Sequence, residues 1–386
     1  QLATAAGGAP PADAPHVAVV GTGLVGLTTA HSLMRRGMRV TLIDRQPDVA
    51  QECSFANAAL LMRSYSRPKT ATVLQLLRWA TSRAEPVHVS WRAMADPAMA
   101  AFGLRFLLSG PQTEARVFET TQVTDSLAEL SAAQFSAICK ERKLRVESTQ
   151  GGLLMFFRDQ AKLDAMVKEA NETFLPEQRS TRFRVVSAED CVELEPALAR
   201  QARDIVGGVY WLGDQTVCPL AFSQELAASL AADGAVFLHG EEVVSLDAGA
   251  DASAPAALNL RSGRNVCADA VVLAAGVGSG KLLRKLAPAG AAPLPLYGMR
   301  GHSMTVEASH LPPAGLGDHV LKRSVCDGDS MVFFSPLPQG PSGGRARRLL
   351  RIAAFGDFDG WGYGPGAVRP WRMKQLAAAA ARTLGE

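Results

Sequence analysis

The sequence predicts an α/β fold: a parallel sheet flanked by helices, interrupted by an inserted part that mixes β-strands with a helical layer. Three observations carry this. VAVVGTGLVG at residues 17–26 sets an apolar run ahead of a G-x-G-x-x-G turn, RVTLI at 39–43 is a second apolar run ending in Asp44, and AVVLAAGVGSG at 270–280 runs from a fully apolar stretch into small residues. Between them lies a long region in which helical spacing alternates with short apolar runs. The first two features together describe a Rossmann-like, dinucleotide-binding unit.

Taken in order, residues 17–20 read as a buried parallel strand. Gly21 permits the tight strand-to-helix turn, Gly23 removes the Cβ that would bar a pyrophosphate, and Gly26 lets the helix close on the strand. Leu24 and Val25 open that helix, and Leu27, Ala30, Leu33 and Met34 continue its inward face. Its N-terminus presents unpaired N–H groups and partial positive charge to phosphate. Asp44 follows at about twenty residues, where a carboxylate accepts hydrogen bonds from a ribose.

Residues 45–61 read as a polar loop running into a helix start, with Ser54 as either a helix N-cap or a ligand contact and Asn57 as a second polar candidate. Residues 70–143 turn helical, an inserted layer that includes a long amphipathic stretch from 119 to 142. Strands are predicted at 150–157, 207–211, 236–239, 243–246, 257–261 and 266–268, with helices at 162–174 and 221–232 and loops at 214–219 and 248–256. After Pro288 the pattern is β-rich, at 301–306, 331–335 and 349–355, and an Ala-rich helix closes the chain at 373–384. Residues 1–15, an Ala/Gly/Pro tract, read as a flexible leader. The expected division is leader 1–15, dinucleotide-binding parts 16–90 and 214–283, substrate-domain parts 91–213 and 284–372, and a C-terminal helix 373–386.

Composition excludes several classes. The chain has 386 residues, 47% apolar and 20% charged, enough for a substantial core. A net charge of +3 is too small to imply a nucleic-acid partner. Arg345, Arg347, Arg348 and Arg351 form the one basic cluster, beside a Gly/Pro loop, and read as a solvated hairpin. The six cysteines show neither C-x-x-C nor Cys/His pairing at metal-ligand spacing, so no metal site is expected and the thiols read as reduced and mostly buried. No run of 18 apolar residues occurs, so no transmembrane segment is expected.

The chain resembles the FAD-dependent dehydrogenases of the D-amino-acid oxidase and glycine oxidase superfamily, nearest the small-subunit type of D-amino-acid dehydrogenase. The resemblance rests on VAVVGTGLVG with Ile43 and Asp44, SFANAA (54–59), QGG (150–152), ELEPAL (193–198), GGVYWLGDQTVCP (207–219), VVLAAG (271–276), YGMRGHS (297–303) and RIAAFGDF (351–358), in family order. It implies FAD rather than NAD, which the glycine turn alone leaves open. By resemblance, Gly21, Gly23 and Gly26 with Leu24 and Val25 hold the pyrophosphate and Asp44 the ribose. Arg45, Ser54, Asn57 and Ala58 line the cofactor, Val243 meets the adenine through its backbone, and Ala275 and Gly276 cover the phosphate side.

The chemistry so implied is oxidation of a small D-amino acid or related 2-substituted acid by hydride transfer to the flavin, with electrons passed to a quinone-type acceptor. A substrate carboxylate needs a paired cation. Arg300 is the candidate, with His302 and Tyr297 beside it. Two departures stand out: the family has Gly at Ala59 and Glu at Asp357. Family members also carry a G-x-R-P segment and a G-H-G helix start beyond the point matching Glu386. The expectation is therefore that the chain as given binds flavin but is incomplete for catalysis, the alternative being a non-catalytic flavoprotein-fold subunit of a larger complex. A missing initiator Met points to a mitochondrial location, with bacterial cytoplasm or the inner-membrane periphery as the alternative.

Overall fold

In the computed structural model the described residues are 10–64, 73–109, 114–247, 254–286, 296–307, 321–337, 349–360 and 368–384. The chain divides into two compact units, one of Gln1–Ala56 with Pro219–Tyr297, the other of Asn57–Cys218 with Gly298–Glu386. The predicted boundaries at 90, 213 and 283 therefore differ from those of the structure, for a reason visible in the strand pairing below.

The first unit opens with β1 (His16–Val20), α1 (Leu24–Met34) and β2 (Arg39–Asp44). The chain then enters the second unit with β3 (Leu60–Leu61), α2 (Val73–Thr81), β4 (Val87–Val89), α3 (Trp91–Met94), α4 (Pro97–Ser109), α5 (Glu114–Arg142) and β5 (Ser148–Thr149). It continues through β6 (Leu153–Phe157), α6 (Gln160–Thr173), α7 (Pro176–Arg182), β7 (Phe183–Val186), α8 (Ala188–Leu194), β8 (Gly207–Trp211) and β9 (Gln215–Val217). It returns to the first unit for α9 (Pro219–Ala232), β10 (Val236–His239), β11 (Val243–Asp247), β12 (Ala256–Leu260), β13 (Asn265–Ala268), β14 (Ala270–Leu273) and α10 (Gly278–Leu286). The second unit is completed by β15 (Arg300–Glu307), β16 (Ser324–Asp327), β17 (Val332–Leu337), β18 (Leu349–Phe358) and α11 (Pro370–Leu384).

In the first unit, β10, β2, β1 and β14 form a parallel sheet in that order. Val17, Val19, Val40 and Leu42 are buried on a strand set that reads as continuous apolar runs, as expected when both faces of a parallel sheet are covered. α1 packs with α9. An antiparallel sheet of β11, β12 and β13 contributes Val243, Leu258, Leu260 and Val266 to a core that also takes Ala18, Val20 and Ile43.

In the second unit a mixed sheet runs β15-β18-β17-β16-β6-β8-β7, with β4 pairing alongside β18. β6, LLMFF, shows how the core is divided. Leu154 and Phe156 enter a core with Phe334, Leu350, Ile352 and Leu376, while Leu153, Met155 and Phe157 enter another with Leu163, Phe174, Val209 and Trp211. The alternation follows from the two-residue period of a strand buried on both faces. A small sheet of β3, β9 and β5 completes the unit.

These pairings explain the corrected boundaries. β3 pairs with β9 in the small sheet and β4 with β18 in the mixed sheet, so both strands belong with the second unit, not with the dinucleotide-binding unit. Residues 51–59 hold turns and no helix, and the predicted loop at 214–219 contains β9. The loop at 248–256 lies partly, and Arg345, Arg347 and Arg348 with most of the predicted leader lie wholly, outside the described residues.

Candidate functional site

The glycine turn stands at the carboxyl end of β1. A Cβ on Gly21, where φ is +111°, would lie 2.4 Å from the Ala274 carbonyl oxygen, and one on Gly26 would lie 1.9 Å from the Gly21 oxygen. Both positions exclude a side chain because β1, α1 and the exit of β14 close on one another here. Gly23 differs. Among the described residues the one atom within 4 Å of its missing Cβ is Ser54 Oγ at 3.3 Å, a side-chain hydroxyl that would have to give by a few tenths of an ångström, with no backbone in the way.

Gly23 is also the N-cap of α1 and supplies no capping side chain. Among the described residues, the one side-chain acceptor given to the first turn is Ser54 Oγ, 3.2 Å from the Leu24 nitrogen that donates to it. Ser54 thus caps α1 from a distant turn rather than a helix of its own. The remaining first-turn N–H groups stand at the positive end of the helix, where negative charge is favoured. Val25 beside them is 66% exposed.

Asp44 is more occupied than its motif implies. Its Oδ2 accepts from the Thr22 N–H and hydroxyl, both at 2.7 Å, and its Oδ1 accepts from the Gln46 N–H at 2.9 Å. With about four lone-pair sites on a carboxylate, one is left for a ribose hydroxyl. Arg45 is held by Glu52 at the surface. Gly276 has φ +54° with nothing within 4 Å of an added Cβ, and the Ala275 backbone nitrogen lies 3.0 Å from where a Gly21 Cβ would be. The structure thus unites the two motifs that the sequence separates by some 250 residues. Val243 is buried at the start of β11, just before a β-bulge, in the core that Ala275 also joins. These residues fit the pyrophosphate and ribose end of FAD: an open cradle where a Cβ would intrude, a helix N-terminus with few acceptors, and a carboxylate with one free site.

The second unit holds the other candidates. Asn57 Oδ1 accepts from the Ala59 N–H at 2.9 Å, folding the segment into a turn with Ala59 at φ +60°. The Ala58 carbonyl accepts from the Ser335 hydroxyl at 2.8 Å, and the Asn57 carbonyl from Arg351 Nη1 at 2.8 Å. His302 is 7% exposed, and its Nε2 lies 2.9 Å from Asp357 Oδ2. Asp357 also binds Arg372, fully buried, at 2.6 Å, and Arg369 at 3.6 Å. Arg369 pairs in turn with Asp359, and Arg300, 15% exposed, lies 3.8 Å from Asp359. Arg300 and His302 are therefore brought into one charged cluster. Tyr297, 8% exposed, closes the other unit.

Burial alone would raise the pKa of Asp357, but hydrogen bonds from His302 and Arg372 and their charge hold it below the ordinary carboxylate value. Asp359 is likewise lowered, chiefly by Arg369 against the cost of burial. Arg351 is the residue that the sequence misplaces. It is 6% exposed on β18, not part of a solvated hairpin, because its strand alternates Leu350 and Ile352 into one core and turns Arg351 to the other face. Its place between Leu350 and Ile352 gave no signal of burial, since neighbours on a strand take opposite faces.

A glycine turn at the exit of a parallel strand, beside a second unit built on a mixed sheet, is an arrangement that dinucleotide-binding α/β proteins share, and similarity to known proteins narrows it. The family model described as FAD dependent oxidoreductase, DAO, matches residues 16–386. The chain is 32% identical over 349 residues to the D-amino acid dehydrogenase of Dechloromonas aromatica, covering 89% of this chain and 77% of that one. It is 30% identical over 314 residues to that of Sinorhizobium medicae, covering 80% and 72%. Among solved structures, glycine oxidase from Geobacillus kaustophilus superposes with a TM-score of 0.62 at 18% identity, covering 95% and 78%. The L-alpha-glycerophosphate oxidase of Mycoplasma pneumoniae, described with FAD bound, gives 0.60 at 15%, covering 96% and 78%. The chain belongs to the DAO family of FAD-dependent oxidoreductases. These sequence relatives are bacterial, and the expected mitochondrial location finds no support among them. No helix among the described residues is long and apolar enough to cross a membrane.

Proposed function

We propose that this enzyme is a dehydrogenase of small D-amino acids that passes electrons to a quinone-type acceptor. The observation that carries the substrate class is the extended match, at 30–32% identity, to bacterial proteins named D-amino acid dehydrogenase. Bound FAD supplies the two-electron acceptor for hydride from the substrate's Cα. The residues of this chain do the rest. The first-turn N–H groups of α1, opened by Gly23, Leu24 and Val25, hold the pyrophosphate. Asp44 contributes its one free acceptor to the ribose, the backbone of Val243 receives the adenine, and Ala275 and Gly276 leave room on the phosphate side. Arg45, Ser54, Asn57 and Ala58 line the cofactor.

Arg300 is the cation for the substrate carboxylate; it lies 3.8 Å from Asp359 in the charged cluster that also holds His302. His302 supports it by fixing Asp357, and Tyr297 is the third candidate for the substrate's polar groups. The test is anaerobic mixing of the purified, flavin-loaded protein with D-alanine, L-alanine, glycine and glycerol 3-phosphate, followed by flavin absorbance. Bleaching by the D-amino acid ahead of the others, without NADH formation from added NAD, is expected. Bleaching by L-alanine or glycerol 3-phosphate alone overturns the substrate class. Gly23→Val should purify folded but colourless, since a branched side chain fills the open cradle. An equally yellow variant removes the pyrophosphate assignment.

A further inference from the structure

Three polar side chains stand in a row across the mixed sheet of the second unit. Thr305, Arg351 and Ser335 are cross-strand partners on β15, β18 and β17. Arg351 Nε donates to Thr305 Oγ1 at 2.6 Å and Nη1 to the Asn57 carbonyl at 2.8 Å, while Ser335 donates to the next carbonyl, that of Ala58. The backbone N–H of Val217 on β9 donates to the third, that of Ala59, at 2.9 Å. Successive carbonyls of 57–59 are thus each tied back into the unit, and the segment has little freedom to turn.

Arg351 differs from the other two anchors in being charged. It is 6% exposed, its other contacts are neutral oxygens, and no carboxylate among the described residues pairs with it. By contrast, the buried Arg372 and the half-buried Arg182 each have an aspartate within 2.6 Å. Its burial lowers its pKa from the ordinary guanidinium value, with only the Cys218 thiol acting the other way. A buried cation left without a counter-charge is destabilising by several kcal/mol as a rule. A neutral donor would hold the Asn57 carbonyl at less cost, so holding that carbonyl does not account for the charge.

We propose that Arg351 is a positioning residue that fixes the Asn57–Ala58 turn and lends it a positive charge, raising the reduction potential of the flavin which that turn lines. The proposal rests on the cofactor-lining role given above to Asn57 and Ala58. An uncompensated cation favours the electron-rich form of a nearby redox group, because reduction brings the charge that the guanidinium lacks.

The experiment is dye-equilibrated reductive titration of the purified, flavin-loaded wild type, Arg351→Met, Arg351→Lys and Ser335→Ala. Arg351→Met is expected to favour the reduced flavin at least tenfold less, a potential more negative by about 30 mV for a two-electron couple. Arg351→Lys should keep most of the wild-type potential, and Ser335→Ala, which removes a neutral anchor, should shift it less than Arg351→Met does. If Arg351→Met retains no flavin, Arg351→Gln, which keeps a donor without the charge, takes its place. A wild-type potential in the charge-less variant overturns the proposal, as does an equal shift in Ser335→Ala. A wild type that takes up no flavin overturns the cofactor reading instead.

Discussion

Ala59 holds a backbone conformation that its side chain resists. A left-handed φ of +60° costs a non-glycine residue about 1–2 kcal/mol, and Ala59 is 2% exposed, pinned through its N–H by Asn57 and its carbonyl by Val217. Ala59→Gly should therefore raise stability by up to about 1 kcal/mol, after the extra freedom glycine has in the unfolded chain. A denaturant midpoint lower than wild type would contradict it. The thiols offer a second check at this scale. Burial pushes the Cys191 thiol up to about 12 and that of Cys139 up to about 11, while Cys53 and Cys267 are exposed. Iodoacetamide should add two labels, at Cys53 and Cys267, to the native protein, read by mass mapping, and reach the buried thiols only after unfolding. Much of this scale was legible. The jobs of Gly21 and Gly26 follow from their spacing, and the expected glycine at position 59 marks the strained turn. Arg351 was not legible, because a window of sequence shows neighbouring charges and says nothing of which face of a strand they take. The three donors to Asp44, two on Thr22 and one on Gln46, were hidden for a related reason: they depend on the path of the turn.

At the level of elements, the network around Asp357 is what binds α11 to β15 and β18. Arg372 reaches from α11 between the rings of Trp371 and Phe355, at 4.1 and 4.5 Å, to Asp357 on β18, and His302 reaches the same carboxylate from β15. Asp357→Asn leaves the fully buried Arg372 without its anion and should cost about 3–5 kcal/mol, read as a lowered unfolding midpoint. Because the folded pKa of Asp357 is depressed, its contribution is fully present above the unfolded value of about 3.9 and is lost as the pH falls through the folded one. Wild type should accordingly lose stability steeply below about pH 4, and Asp357→Asn less steeply. Equal acid slopes would show that other carboxylates dominate. The strands and helices of this network were legible from apolar period and the Ala-rich run. Its joining was not, since the partners come from separate elements. Residues 51–59 deceived in the opposite way: small residues after a polar loop look like a helix start, but the segment is held by distant strands. β16 and β9 were too short to show a period.

At the scale of the whole molecule, the parallel sheet takes β1 and β2 from one end of the chain and both flanking strands, β10 and β14, from Pro219–Tyr297. A chain cut after Cys218 should therefore retain no flavin, because β1 and β2 lack a neighbour on either side. Flavin retention by that fragment would mean that α1 and its turn stand alone. The sheet itself was legible from three apolar runs, two with glycine exits and one ending in Asp44. The boundaries were not, since β3 and β4 are assigned by their partners rather than by composition.

That same strand order sets a schedule for synthesis. β1 and β2 can pair as soon as the ribosome releases them, but the open side of β1 meets its partner only when Ala270–Leu273 emerges. At roughly 5–20 residues per second, an apolar edge waits on the order of ten seconds or more while the whole inserted segment is made. Pairings so distant in sequence also slow refolding, so the open edge of β1 is a place where a nascent chain needs shielding from its neighbours until β14 is made.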